Sequence, residues 1–204
     1  MKKFLIKKLI DFTSWEKVTK LDDFSYPWQS EKSPVTSFSA YYDENHIYFR
    51  FVAYGSKPLV YIEDNSKLEV MHSERVEIFF RRDQKMSPHY CLEMDPHGRV
   101  LDYRANLYRK FDRDWQWPES LSIKSKINEE NYTVEGKISL SILNELGLIN
   151  NNNNIQIGLF RGHCTNLVGK VASLKWISWV DSKTQDADFH VPSAFGILKL
   201  CSSG

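Results

Sequence analysis

The stretch Ser73-Glu74-Arg75-Val76-Glu77-Ile78-Phe79-Phe80, followed after one loop by Tyr90-Cys91-Leu92-Glu93-Met94, decides how this chain folds. Successive side chains of a strand point to opposite faces, so Val76, Ile78 and Phe80 share one side while Glu77 and Phe79 take the other. Tyr90, Leu92 and Met94 separate from Cys91 and Glu93 in the same way. If the loop from Arg81 to His89 closes a symmetric hairpin, Phe80 lies opposite Tyr90 and Glu77 opposite Glu93. The apolar side is then core, joined by Ile157, Leu159 and Leu198, and the other side carries two facing carboxylates.

Outward from this hairpin the same period of two recurs in Ile47 to Val52, Tyr132 to Ile138 and Ile155 to Phe160. Turn residues separate the runs: Asp43-Glu44-Asn45 before one strand, Asp95-Pro96-His97-Gly98 between two, and asparagines from Asn150 to Asn154. One short helix is predicted from Leu140 to Leu146, with Ser139 or Ser141 as cap and Gly147 as stop. Many strands with one short helix predict an all-β, two-layer antiparallel β-sandwich. No stretch resembles a linker, so residues 1–204 are read as one domain.

Charge and motifs exclude several functions. The 27 basic and 26 acidic residues leave a net charge of +1, which offers no general attraction to nucleic acid or anionic membrane. The basic start is followed by an apolar run too short for an export signal, so a cytoplasmic location is expected unless a signal once preceded it. Cys91, Cys164 and Cys201 have no paired spacing, which points to idle thiols rather than a disulfide framework or a zinc site. Nucleotide-binding, esterase and zinc-protease motifs are absent from the sequence. Nothing in it indicates an oligomeric state.

Two like charges facing each other on a sheet destabilise it, so a compensator is expected: Arg75 or Arg161, a bound cation, or ligand hydroxyls. A polar binding face is one reading, and a solvated strand face with chance glutamates is the other. Glycoside hydrolysis is an alternative, since neighbouring strands hold carboxylates about 5 Å apart, but no further motif supports chemistry and the chain is read as no enzyme. Six tryptophans include the pairs Trp115/Trp117 and Trp176/Trp179, the latter expected on one side of their strand. Flat aromatic faces stack on sugar C–H faces, beside polar groups that take the hydroxyls.

The order of these segments carries a resemblance. Ser73 to Phe80, Tyr90 to Glu93, Ile155 to Arg161, Trp179 and the closing Asp188-Phe189-His190-Val191-Pro192-Ser193-Ala194-Phe195-Gly196 resemble the family 9 carbohydrate-binding modules and their family-9-like relatives. The likeness runs from about Tyr26 to Leu200. It implies a jelly-roll-like β-sandwich that binds sugar, often at a chain end, without catalysis and sometimes with structural calcium. In the best-known branch two tryptophans clamp the sugar, and Met71 and Phe189 stand at those places here. Glu77 matches the family's acidic position, whereas Glu93 stands near one that bears an amide in the clamp-forming branch. The expected ligand is therefore a carbohydrate, on a site of Glu77 and Glu93 with Met71 and Phe189 as walls and Arg75, Arg161 or His190 as donors. For calcium, Asp22, Asp23, Asp43 and Glu44 offer oxygens, but no cofactor is expected. Two other readings are a protein-interaction module without a small ligand, and a DOMON-like haem domain of the same topology using Met71 and His163.

Overall fold

A computed structural model describes residues 1–119 and 121–201. The strands in chain order are β1 (Lys3–Lys7), β2 (Lys20–Leu21), β3 (Thr36–Tyr42), β4 (His46–Tyr54), β5 (Arg75–Arg81), β6 (His89–Met94) and β7 (Val100–Asn106). They continue with β8 (Lys110–Asp112), β9 (Ser122–Ile127), β10 (Asn131–Ser139), β11 (Asn154–Val168), β12 (Val171–Ser178) and β13 (Gly196–Cys201). Helix α1 (Leu140–Glu145) follows β10; the Ser139 hydroxyl accepts from the Ile142 amide, and Gly147 ends the helix at φ +66°.

Two sheets pack face to face. The smaller runs β2-β3-β4-β10-β9, the larger β1-β13-β11-β5-β6-β7-β8, with β12 also on β11. The 15-residue β11 is long enough to pair β13 with its first part and β12 with its second, while β5 lies along its other edge. Among the described residues every strand ladder is antiparallel except β1 with β13, and the sandwich is predominantly antiparallel, as expected. The strand formed near the start of the chain lies beside the last one, and the two run in the same direction.

The hairpin has the predicted register: Phe80 pairs with Tyr90 and Glu77 with Glu93. Val76, Ile78, Phe80, Tyr90, Leu92, Ile157, Leu159 and Leu198 are all buried in the core between the sheets. The outer face of the larger sheet is not simply polar. Phe79, Cys91, Tyr103 and Phe160 on that face form a second apolar cluster beneath Val70, Met86, Phe189 and Phe195. This cover explains why every residue of β5 and β6 is buried. Trp176 and Trp179 do not share a side, since an odd separation of three residues sends them to opposite faces. Trp179 fills the core, and Trp176 packs on the outer cluster.

Candidate functional site

The loops over the outer face leave a cleft of about 360 Å³. Its lining includes Glu77 and Phe79 of β5, Glu93 of β6, Tyr103 of β7, Trp176 of β12, and Arg75 and Met71 at one side. The segment before β13 contributes Phe189 and His190, and the β8 region contributes Arg109, Phe111 and Arg113. Arg109 and Tyr108 both bind Asp188, at 3.2 and 2.7 Å, which ties the β7–β8 hairpin to the segment carrying Phe189 and His190. Burial opposes the charge of Asp188, but the Tyr108 hydroxyl, the His190 amide and Arg109 hold its carboxyl below the usual range.

Arg75 is the compensator for the two glutamates. Its Nε lies 2.8 Å from Glu77 Oε1 and 2.7 Å from Glu93 Oε2. One N–H cannot align with both. It donates to Glu77, and Glu93 Oε2 is left buried without a hydrogen bond. Tyr103 donates to the other oxygen, Glu93 Oε1, at 2.8 Å. Nη1 of Arg75 donates to the Met71 and Ser73 carbonyls, and the guanidinium lies 5.0 Å from the Trp176 ring centre. Gly162, paired with both Arg75 and Trp176, permits that approach: a Cβ there would come 3.1 Å from the indole. Burial and the neighbouring Glu93 push the Glu77 carboxyl up to about 8 despite Arg75. Near neutral pH Glu77 is thus largely protonated, which relieves the repulsion between the two facing carboxyl groups.

Six of the seven residues expected at the site line this cleft; Arg161 does not. Arg161 pairs with Val76 across β5 and β11, and so points into the sandwich interior with it. There its Nε donates to Glu74 at 2.6 Å and its Nη1 to the Tyr54 carbonyl at 2.9 Å. Phe189 borders the cleft but offers no free stacking face, because its ring stacks on Phe160 at 3.8 Å and meets Trp28 and Trp176. Trp176, Tyr103, Arg109, Phe111 and Arg113 were not expected as site residues. Correct parity would have turned Trp176 outward; the short β8 has no apolar period to announce its neighbours.

The oxygens suggested for calcium do not converge. Asp23 pairs with Lys2, Glu44 with Lys8, and Asp43 caps its own turn by accepting from the Asn45 and His46 amides. An oxygen-rich knot lies elsewhere, and an arginine fills it: the Arg99 guanidinium binds Glu69, Asp95 Oδ2 at 2.7 Å and the Tyr61 carbonyl at 2.7 Å. The haem pair is not assembled at the cleft either. His163 Nδ1 is 2.5 Å from the Tyr26 hydroxyl, and His163 does not line the cavity that Met71 borders.

The architecture matches solved structures along its whole length. A candidate carbohydrate-binding protein from Bacteroides uniformis superposes with a TM-score of 0.72 at 16% identity, covering 98% of this chain and 99% of that one. A family 9 carbohydrate-binding module from Caldicellulosiruptor kristjanssonii in complex with glucose gives 0.62 at 15% identity, covering 100% and 97%. A complex of a family 9 module from the same organism with cellotriose gives 0.64 at 14%, covering 100% and 95%. No curated protein matches the sequence significantly. Residues 10–203 match the family described as carbohydrate family 9 binding domain-like, and the chain belongs to that family.

Proposed function

We propose that this protein binds a carbohydrate in the cleft over Glu77 and Glu93 and performs no chemistry on it. The observation that carries the reading is the lining of the cleft, where the Glu77 and Glu93 carboxyls and the Arg75, Arg109 and Arg113 guanidiniums stand beside the aromatic rings of Trp176, Phe79 and Phe111. Sugar hydroxyls have carboxyl acceptors in Glu77 and Glu93, and Arg75, Arg109 and Arg113 are placed to donate to other hydroxyl or ring oxygens. Trp176, Phe79 and Phe111 supply the apolar lining against which C–H faces pack. Hydrolysis is disfavoured by the geometry: a glycosidase keeps room for substrate between its two carboxyl groups, whereas here a guanidinium nitrogen lies within 2.8 Å of both.

Glucose and cellotriose, the ligands of the related family 9 complexes, are the first probes for calorimetric titration, followed by a glycan array. The expected result is saturable binding with unchanged sugar. Above about pH 8, where Glu77 is ionised, Glu77→Gln should weaken it roughly tenfold to a hundredfold, the loss of one charge-assisted hydrogen bond. Binding by the folded variant equal to that of the parent refutes this site, and release of reducing sugar refutes the non-catalytic reading.

A further inference from the structure

We infer that His89, Cys91 and His190, at the flank of the cleft, form a site for one divalent cation of the zinc type. Among the described residues they are the one group of three such side chains whose ligand atoms all lie within 4.8 Å of one another. β6 sets His89 and Cys91 two residues apart on the same face, and the segment before β13 brings His190 onto them. Two imidazoles and a thiolate are ligands that suit zinc, and a tetrahedral ion leaves a fourth position for water.

The hydrogen bonds define the state of the rings. A carbonyl can only accept, so His89 Nδ1, 3.1 Å from the Met86 carbonyl, carries the proton. That bond is the orienting contact that metal-bound histidines regularly make with their second nitrogen, and it turns a bare Nε2 toward His190. His190 Nδ1 lies 2.9 Å away and donates to it. Tetrahedral zinc holds two such nitrogens about 3.3 Å apart, so the pair opens by a few tenths of an ångström.

On binding, Cys91 loses its thiol proton to solvent and its sulfur pair forms the metal bond. The His190 proton passes by way of water from Nδ1 to Nε2, freeing the nitrogen pair. One proton is released per ion. The charges around the site are mixed. Arg81 pairs with His89 on the sheet and Arg109 stands near His190, both opposing a dication, while the thiolate and Asp188 attract it.

Titration of the intact chain with Zn²⁺, and with Co²⁺ as a coloured stand-in, tests the assignment. The expected result is one equivalent bound, one proton released, and a thiolate-to-cobalt absorption band. The band should vanish in Cys91→Ser and persist in Cys164→Ser and Cys201→Ser. His190→Ala, a change in a partly exposed loop side chain, should weaken Zn²⁺ binding at least about tenfold. Should Cys91→Ser fail to fold, the His190→Ala titration decides alone. Less than one equivalent bound, a band retained without Cys91, or unchanged affinity in His190→Ala overturns the site.

Discussion

Two buried arginine–glutamate clusters lie on opposite faces of the same sheet, and they differ in how completely they are satisfied. In the interior, Arg161 reaches Glu74, the Thr36 hydroxyl and the Val35 and Tyr54 carbonyls. Glu74 accepts in addition from the Tyr132 hydroxyl and the Cys164 amide. On the outer face Arg75 meets two carboxylates with one Nε–H, and an oxygen of Glu93 remains without a donor. The first cluster is closed within the interior; the second borders the cleft. Burial and charge alone do not separate a structural ion pair from a binding site, whereas access to a cleft does.

The largest effect is expected in the closed cluster. Arg161→Ala strands Glu74 in the interior and should cost about 3–5 kcal/mol of stability in denaturant unfolding, as removal of one partner from a buried pair generally does. A loss below about 1 kcal/mol would mean that Glu74 is satisfied by Tyr132 and Cys164 without the arginine. Glu77→Gln should behave in the opposite way, weakening sugar binding as stated above yet leaving the fold as stable or more so at mildly alkaline pH. The amide relieves the repulsion from Glu93 and still fits the space. Clear destabilisation by Glu77→Gln at that pH would place the open cluster in the same class as the closed one.

The pH dependence sharpens the contrast further. Folding raises the Glu77 carboxyl from 4.5 to about 8, so between those values the folded chain holds a proton that the unfolded chain has lost. The contribution of Glu77 to stability is therefore full below about pH 4.5 and declines as pH rises toward 8. Unfolding followed across this window should show the decline in the parent and a shallower slope in Glu77→Gln; equal slopes would remove Glu77 as its source. The smallest effect belongs to the rim. Arg113→Ala removes an exposed cation that lies over Phe111, and it should change sugar affinity by at most about fivefold, less at high salt.

The hairpin was legible because alternation over Val76 to Phe80 and Tyr90 to Met94 admits one inward-facing set, and the pairing of Glu77 with Glu93 follows from it. Arg161 was misplaced because its face depends on the register of β11 against β5, which no local pattern supplies. Once Arg161 is set opposite Val76, its inward direction is fixed. The sequence also offered no sign that loops cover the outer face, so Phe189 reads as a platform although Phe160 already occupies its ring. Arg109, Phe111 and Arg113 flank or lie on a strand only three residues long, where periodicity has nothing to repeat. His89 and His190 are 101 positions apart, and only the tertiary fold makes them neighbours.

The Arg99 knot has a consequence for how this protein meets its surroundings. Glu69, Asp95 and the Tyr61 carbonyl converge on a positive charge that belongs to the chain itself. A dissolved ion occupies such a place only to the extent that its concentration exceeds its dissociation constant, and its departure loosens the loops it held. A guanidinium on a side chain has no concentration to fall. The turn from Asp95 to Arg99 and the segment around Glu69 should keep their shape in water free of calcium or loaded with it, and amide exchange there should not respond to a chelator. Having its counter-charge built in frees this corner of the molecule from the mineral content of its environment.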